Sequence, residues 1–140
     1  MAASVSKPSH TVLVVDDDEE VLALAVDVLE IAGYTVLSTP DPRHALRLAR
    51  SHAEPLHLLL TDVVMPLMNG LQLAAELQVL RPEARILLMS AYRTQEIDDY
   101  RKRLGLQGLF LDKPFTVAAL TRAVRALLDD STATPWRRLS

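Results

Sequence analysis

Cysteine is absent from the 140-residue chain. Disulfides, thiolate metal sites and cysteine nucleophiles are therefore excluded. No apolar run approaches the ~20 residues needed to span a bilayer. The opening stretch "MAASVSKPSH" also lacks the apolar core of a signal peptide, so the expectation is a cytoplasmic chain with no membrane attachment. Positive charge is not in excess, with 15 Lys and Arg against 18 Asp and Glu and a formal net charge of −3. Nucleic acid attracts proteins mainly through clustered basic residues, so no general nucleic-acid partner is expected. What is present is ordinary for one globular domain with a real core: 49% hydrophobic and 24% charged residues.

Short apolar runs alternate with longer amphipathic ones. "TVLVV" (11–15) is rich in β-branched residues and too short for a helix, so it reads as a buried strand. From Glu19 to Ala32 the spacing of Leu22, Ala25, Val26 and Leu29 becomes helical, and Gly33 stands where a C-cap belongs. "TVLST" (35–39) is a second strand. Asp41-Pro42 is an N-cap followed by a first-turn proline, opening a helix to about Ser51. "LHLLLTD" (56–62) is a third strand, and "MPLMNG" is a loop punctuated by Pro66 and Asn69-Gly70. A helix with Leu71, Ala74, Leu77 and Leu80 on one face follows, stopped by Pro82. "RILLMS" (85–90) is a fourth strand. Thr94 caps a helix carrying Ile97, Tyr100 and Leu104 on one stripe, ended by Gly105. "GLFLD" (108–112) is a fifth strand. Thr116 caps a last helix with Leu120, Ala123, Val124 and Leu127 inward.

Five strand–helix units in strict alternation predict an α/β fold, a five-stranded parallel sheet covered by helices on both faces. A domain over 11–129 is expected, with a disordered segment at 1–10 and a flexible tail at 130–140. In open parallel sheets the functional site lies at the carboxyl ends of the strands, near a switch in strand order. The first strand runs into "DDDEE" (16–20), five like charges that repel one another. The third ends in Asp62, the fourth in Ser90 and the fifth in Lys113-Pro114. If the strand order is 2-1-3-4-5, the first and third strands are neighbours, and Asp16, Asp17 and Asp62 converge on one crevice flanked by a hydroxyl and an ammonium.

Three carboxylates without histidine or cysteine suit a hard, oxygen-preferring cation, with Mg²⁺ as the best match. One carboxylate can also act as a nucleophile toward phosphorus and form an aspartyl phosphate. The metal and Lys113 would then neutralise charge on the transferring group, and the Ser90 hydroxyl could donate to one of its oxygens. Each residue also has a plainer reading. Asp16 and Asp17 alone would be helix-start acids, Asp62 a turn residue, Lys113 a surface lysine and Phe110 a core side chain. Their convergence favours chemistry.

The segments "VLVVDDDEEV", "LLLTDVVMPLMNG", "ILLMSAY" and "GLFLDKPF", in this order and spacing, resemble the receiver domain of two-component response regulators over about residues 10–130. The resemblance implies the strand order 2-1-3-4-5 of a flavodoxin-like three-layer fold. It implies that Asp62 is the phosphoacceptor, Asp16 and Asp17 the acidic pair that holds Mg²⁺, and the backbone carbonyl of Val64 a further ligand. Ser90 and Phe110 match the family's switch pair, and Lys113-Pro114 matches its lysine and a cis peptide bond. Asp18, Glu19 and Glu20 fall outside the pair and favour the first helix through its dipole.

The implied partner is a histidine kinase or histidine phosphotransfer protein, and the implied action is that of a switch rather than an enzyme. Phosphorylation would alter binding of a downstream protein through the fourth helix, fifth strand and fifth helix. No helix-turn-helix, cyclase or kinase segment follows residue 130. The expectation is therefore a stand-alone receiver similar to the chemotaxis regulator type, a monomer or weak dimer, acting on a partner or within a phosphorelay. Val64 and Tyr92 occupy positions that tune hydrolysis in the family; neither is a carboxylate or amide, which implies slow self-dephosphorylation. A non-phosphorylated adaptor is disfavoured by the complete acidic, serine and lysine set. A Mg²⁺-dependent aspartyl phosphatase of the haloacid dehalogenase type is disfavoured by Glu20 in its D-x-D-x-[TV] pattern and by the lack of room for a cap domain. The histidines (His10, His44, His52, His57) show no ligand spacing and are expected at the surface, as is a solvated basic face formed by Arg93, Arg101, Lys102 and Arg103.

Overall fold

A computed structural model of the chain describes residues 10–92, 94–106 and 108–128. Of the expected end segments at 1–10 and 130–140, all but His10 lies outside the described residues, as does Arg93. Strands and helices alternate as β1 (Thr11–Val15), α1 (Glu19–Ile31), β2 (Thr35–Thr39), α2 (Pro42–Ser51), β3 (Leu58–Asp62), α3 (Gly70–Leu80), β4 (Arg85–Ser90), α4 (Gln95–Arg103), β5 (Leu109–Asp112) and α5 (Val117–Leu128). The five strands form one parallel sheet in the order β2-β1-β3-β4-β5. β3 and β5 begin slightly later than their apolar runs.

Successive strand side chains point to opposite faces, so one apolar run feeds two cores. Val12, Val14, Leu58, Leu60, Leu87 and Met89 pack under α1 and α5 with Ala25, Leu29, Leu120 and Val124. Leu13, Val15, Leu59, Ile86 and Leu88 pack on the other face with Ala45, Ala49, Leu71, Ala74 and Leu77 of α2 and α3. Ile97, Tyr100 and Leu104 attach α4 to that second core, although no residue of α4 is buried.

The helix starts are capped by the residues that the sequence offers for it. Asp18 accepts from Glu20 N–H at 3.0 Å and Val21 N–H at 3.4 Å, with Glu19 and Glu20 in the first turn. Asp41 accepts from Arg43, Asn69 from Gln72, Thr94 from Ile97 and Thr116 from Ala119. Gly33 ends α1 at φ +102°, in the left-handed region that favours glycine. At the sheet end away from the acidic residues, Arg81 donates to the carbonyls of Ala49, His52 and Glu54 and ties α2 to the end of α3.

Two surface expectations are corrected. His10, His52 and His57 are half-buried. His57 Nδ1 accepts the Thr11 N–H at 2.9 Å, and the His10 ring stands edge-on to it with centroids 4.8 Å apart. Arg101 does not join Lys102 and Arg103 on a solvated face, because its side chain is only 15% exposed. It occupies the inner stripe of α4 beside Ile97, Tyr100 and Leu104.

Candidate functional site

Strand pairing assembles the acidic site. Val15 of β1 lies opposite Thr61 of β3, so the next residues, Asp16 and Asp62, leave the sheet side by side. Ser90 of β4 pairs with Asp112 of β5, and the Lys113 N–H continues the ladder to the Ser90 carbonyl at 3.0 Å. Asp16 is fully buried, and Asp62 is buried at the mouth of the site. Asp17 is exposed. Carboxylate oxygens of the three lie within 4.8 Å of one another.

Lys113 Nζ reaches Asp16 Oδ2 at 2.7 Å and Asp62 Oδ1 at 3.4 Å. The other Asp16 oxygen accepts the Asp18 N–H at 2.9 Å, so both oxygens of this buried group already have partners. Burial raises the Asp62 pKa above the ordinary aspartate value; the Asp16 charge adds to this and Lys113 opposes it. Burial works against the Lys113 ammonium as well. The hydrogen bond and charge of Asp16, joined by Asp62, outweigh it and raise the Lys113 pKa. Three carboxylates against one ammonium leave the cluster with negative charge in excess. The donor set consists of oxygens only and has one exposed member, and this fits a hard divalent cation that keeps part of its water.

The remaining predicted residues lie at or near the carboxyl ends of β3, β4 and β5. The peptide bond between Lys113 and Pro114 is cis. Val64 follows β3 with its side chain 69% exposed. Ser90 is buried; its hydroxyl donates to the Tyr92 carbonyl at 2.6 Å and accepts the Tyr92 N–H at 3.1 Å. Phe110 is half-buried and pairs with Leu88, two residues before Ser90, so both side chains lie on one face of the sheet.

One contributor escaped the sequence reading. Gly70 is more than loop punctuation, for a Cβ there would meet the Asp62 carbonyl oxygen at 1.9 Å. Its N–H donates to the Val63 carbonyl at 2.7 Å, which seats the start of α3 directly on the backbone that carries Asp62.

A family model described as the response regulator receiver domain matches residues 12–125. The chain belongs to this family. This receiver is 31% identical over 123 residues to the sensor kinase CckA of Brucella abortus, covering 86% of this chain and 13% of that protein. It is 35% identical over 122 residues to the transcriptional regulatory protein CpxR of Klebsiella pneumoniae, covering 85% of this chain and 49% of that one. The receiver thus spans half or less of the length of these relatives. It also resembles the crystal structure of a response regulator protein from Burkholderia pseudomallei with a phosphorylated aspartic acid, a calcium ion and citrate. That match has 27% identity and a TM-score of 0.73, and covers 89% of this chain and 71% of the other.

Receiver domains are phosphoacceptor signalling switches that interact with histidine kinases or phosphotransfer proteins and generally bind Mg²⁺ at an acidic aspartate cluster. Among the described residues no helix is long and apolar enough to cross a membrane.

Proposed function

We propose that Asp62 accepts a phosphoryl group from a phosphohistidine on a histidine kinase or phosphotransfer protein, or from a small acyl phosphate. The observation that carries this reading is the Lys113 ammonium held between the carboxylates of Asp16 and Asp62, with Asp17 exposed beside them. An Asp62 oxygen attacks phosphorus in line. The bond to the donor nitrogen breaks as the new P–O bond forms, and the leaving imidazole nitrogen takes up a proton; from an acyl phosphate the bond to the bridging oxygen breaks and the carboxylate leaves as its anion. The raised pKa of Asp62 makes its ionised form the stronger nucleophile. Lys113, already 3.4 Å from Asp62, lies in reach of charge that develops on the phosphoryl oxygens. The side chains of Asp16, Asp17 and Asp62 and the Val64 carbonyl would hold Mg²⁺, which when bound supplies charge neutralisation for the transfer. Asp17 is the most accessible ligand, since Asp16 is committed to Lys113 and to the Asp18 amide.

The aspartyl phosphate offers the Ser90 hydroxyl a stronger acceptor than the Tyr92 carbonyl. Ser90 then swings toward Asp62 and leaves room that Phe110 can fill, which changes the α4–β5–α5 face toward a protein target. The phosphorylated aspartate and calcium ion of the Burkholderia pseudomallei relative support this chemistry. The match to part of a sensor kinase favours a second reading, a relay in which Asp62 passes the group to a further histidine. Intact mass after incubation with acetyl phosphate tests the main reading. A Mg²⁺-dependent gain of one phosphoryl group in the wild type and none in Asp62→Asn is expected. A gain of the same size in Asp62→Asn would refute it.

A further inference from the structure

α4 presents Ile97, Tyr100, Arg101 and Leu104 to the body of the protein, at the i, i+3, i+4, i+7 spacing of an apolar stripe. One of these four carries a charge. The Arg101 side chain is 15% exposed, where an arginine on a polar helix would ordinarily extend into water. Its Nη1 donates to the Leu106 carbonyl at 3.0 Å, beyond the end of α4. Its Nε lies 4.0 Å from Asp98 Oδ1, one turn back. These contacts hold the guanidinium with its Cζ 6.0 Å from the centroid of the Phe110 ring on β5. A poorly hydrated planar cation over an aromatic ring is attracted by the ring's quadrupole, more strongly when both are withdrawn from water.

We propose that Arg101 is a positioning residue that latches Phe110 in its present place and thereby sets the balance point of the switch. The proposal rests on the reading of Ser90 and Phe110 as the switch pair. In the same structure the Ser90 hydroxyl donates to the Tyr92 carbonyl, so the Arg101–Phe110 contact belongs to an arrangement in which Ser90 has not turned to Asp62. Turning Phe110 toward the space that Ser90 vacates removes the ring from the guanidinium. The resting state therefore contains a contact that the active state lacks, and anything that weakens the contact shifts the equilibrium toward activation. By linkage the effect is reciprocal: occupancy at Asp62 loosens the hold of α4 on β5 through Arg101.

The test uses the full chain labelled with fluorophenylalanine. Its two phenylalanines, Phe110 and Phe115, are assigned by Phe115→Leu. ¹⁹F resonances are followed through a beryllofluoride titration in Mg²⁺. Arg101→Gln keeps a side-chain donor for the Leu106 carbonyl and removes the charge; Arg101→Lys keeps the charge. In Arg101→Gln, before any ligand is added, the Phe110 resonance should already move toward its beryllofluoride-saturated position. Beryllofluoride should then bind about two- to fivefold more tightly than to the wild type. Arg101→Lys should stay close to the wild type.

In a Phe110→Leu background the Arg101→Gln effect on affinity should vanish, which a merely structural role for Arg101 would not produce. A Phe110 resonance and affinity unchanged in Arg101→Gln, or the same affinity gain surviving in Phe110→Leu, overturns the latch. Failure of the wild type itself to bind beryllofluoride overturns the phosphoacceptor reading instead. In that case the ligand-free Phe110 resonance still decides whether Arg101 holds the ring.

Discussion

Replacing Gly70 with alanine should damage the acidic site without touching any of its charged groups. The added Cβ would stand 1.9 Å from the Asp62 carbonyl oxygen, 2.9 Å from its carbonyl carbon and 3.0 Å from the Val63 Cα. All three are backbone atoms, so no side chain can swing aside, and contacts under 3.0 Å are essentially never tolerated by a real Cβ. The start of α3 and the end of β3 must separate by about 1 Å, which also stretches the 2.7 Å bond from Gly70 N–H to the Val63 carbonyl. Overpacking of this kind costs about 3 kcal/mol at the upper end of its usual range. The better helix propensity of alanine returns less than ~1 kcal/mol at a first-turn position. A net loss of about 2 kcal/mol is expected in urea denaturation. The movement carries Asp62 relative to Lys113, now 3.4 Å away, and a displacement of ~1 Å at a reacting group can lower the rate by about 100-fold. Phosphorylation by acetyl phosphate should therefore fall far more than stability does. Gly33→Ala is the control: its φ of +102° costs stability, but the position is open and lies at the opposite end of α1 from the acids, so the rate should hold. Wild-type stability and a wild-type rate in Gly70→Ala would show that the backbone of β3 accommodates the added Cβ.

Burial and the neighbouring His10 push the His57 pKa below the usual histidine value of 6.5. The folded state then binds fewer protons than the unfolded one, so the stabilisation is present above about pH 6.5 and is lost as pH falls through the depressed value. The urea midpoint should drop between about pH 7.5 and pH 5.5 in the wild type, and less in His57→Asn, which keeps an acceptor for the Thr11 N–H. An equal drop in both would contradict this. Arg81→Met removes the donor shared by the carbonyls of Ala49, His52 and Glu54, and should cost about 2–3 kcal/mol with no effect on phosphorylation of the folded protein. An unchanged urea midpoint would show that water replaces it. Val64→Asn places an amide two residues beyond Asp62, where an exposed apolar side chain now stands, and should speed loss of the phosphoryl group several-fold. A half-life unchanged or longer in a mass time course would count against slow hydrolysis as a property of Val64.

The architecture was legible because the apolar runs alternate cleanly and because acids, serine and lysine follow strand ends, where a parallel sheet gathers them. The caps at Asp41, Thr94 and Thr116 were legible for a similar local reason: each is a short polar side chain two or three residues ahead of the amide it accepts. Asp18 was read only as an acid that favours the dipole of α1, and the structure makes it the cap as well. What stayed hidden depends on distant neighbours. Asn69-Gly70 reads as a turn, and nothing local reveals that a Cβ would collide with the backbone of another element. Arg101 was assigned to water by its charge, although its spacing from Ile97 and Leu104 placed it on the inner stripe. His57 looked like a surface residue because its partner, the Thr11 amide, is 46 residues away. The strand over 108–112 starts at Leu109. A Cβ at Gly108 would lie 2.5 Å from the Ile86 carbonyl, so the glycine marks a close approach of backbones rather than the first residue of the strand.

The phosphoryl group is expected on the side chain of Asp62, and site mapping by borohydride reduction reads its position. An aspartyl phosphate is a mixed anhydride that borohydride reduces to the alcohol, whereas a free carboxylate is left intact. Wild-type protein treated with acetyl phosphate and Mg²⁺, then reduced and digested, should carry homoserine at position 62, with Asp16 and Asp17 unchanged. Homoserine at position 16 or 17 with Asp62 intact would place the phosphoryl group on the acidic pair instead.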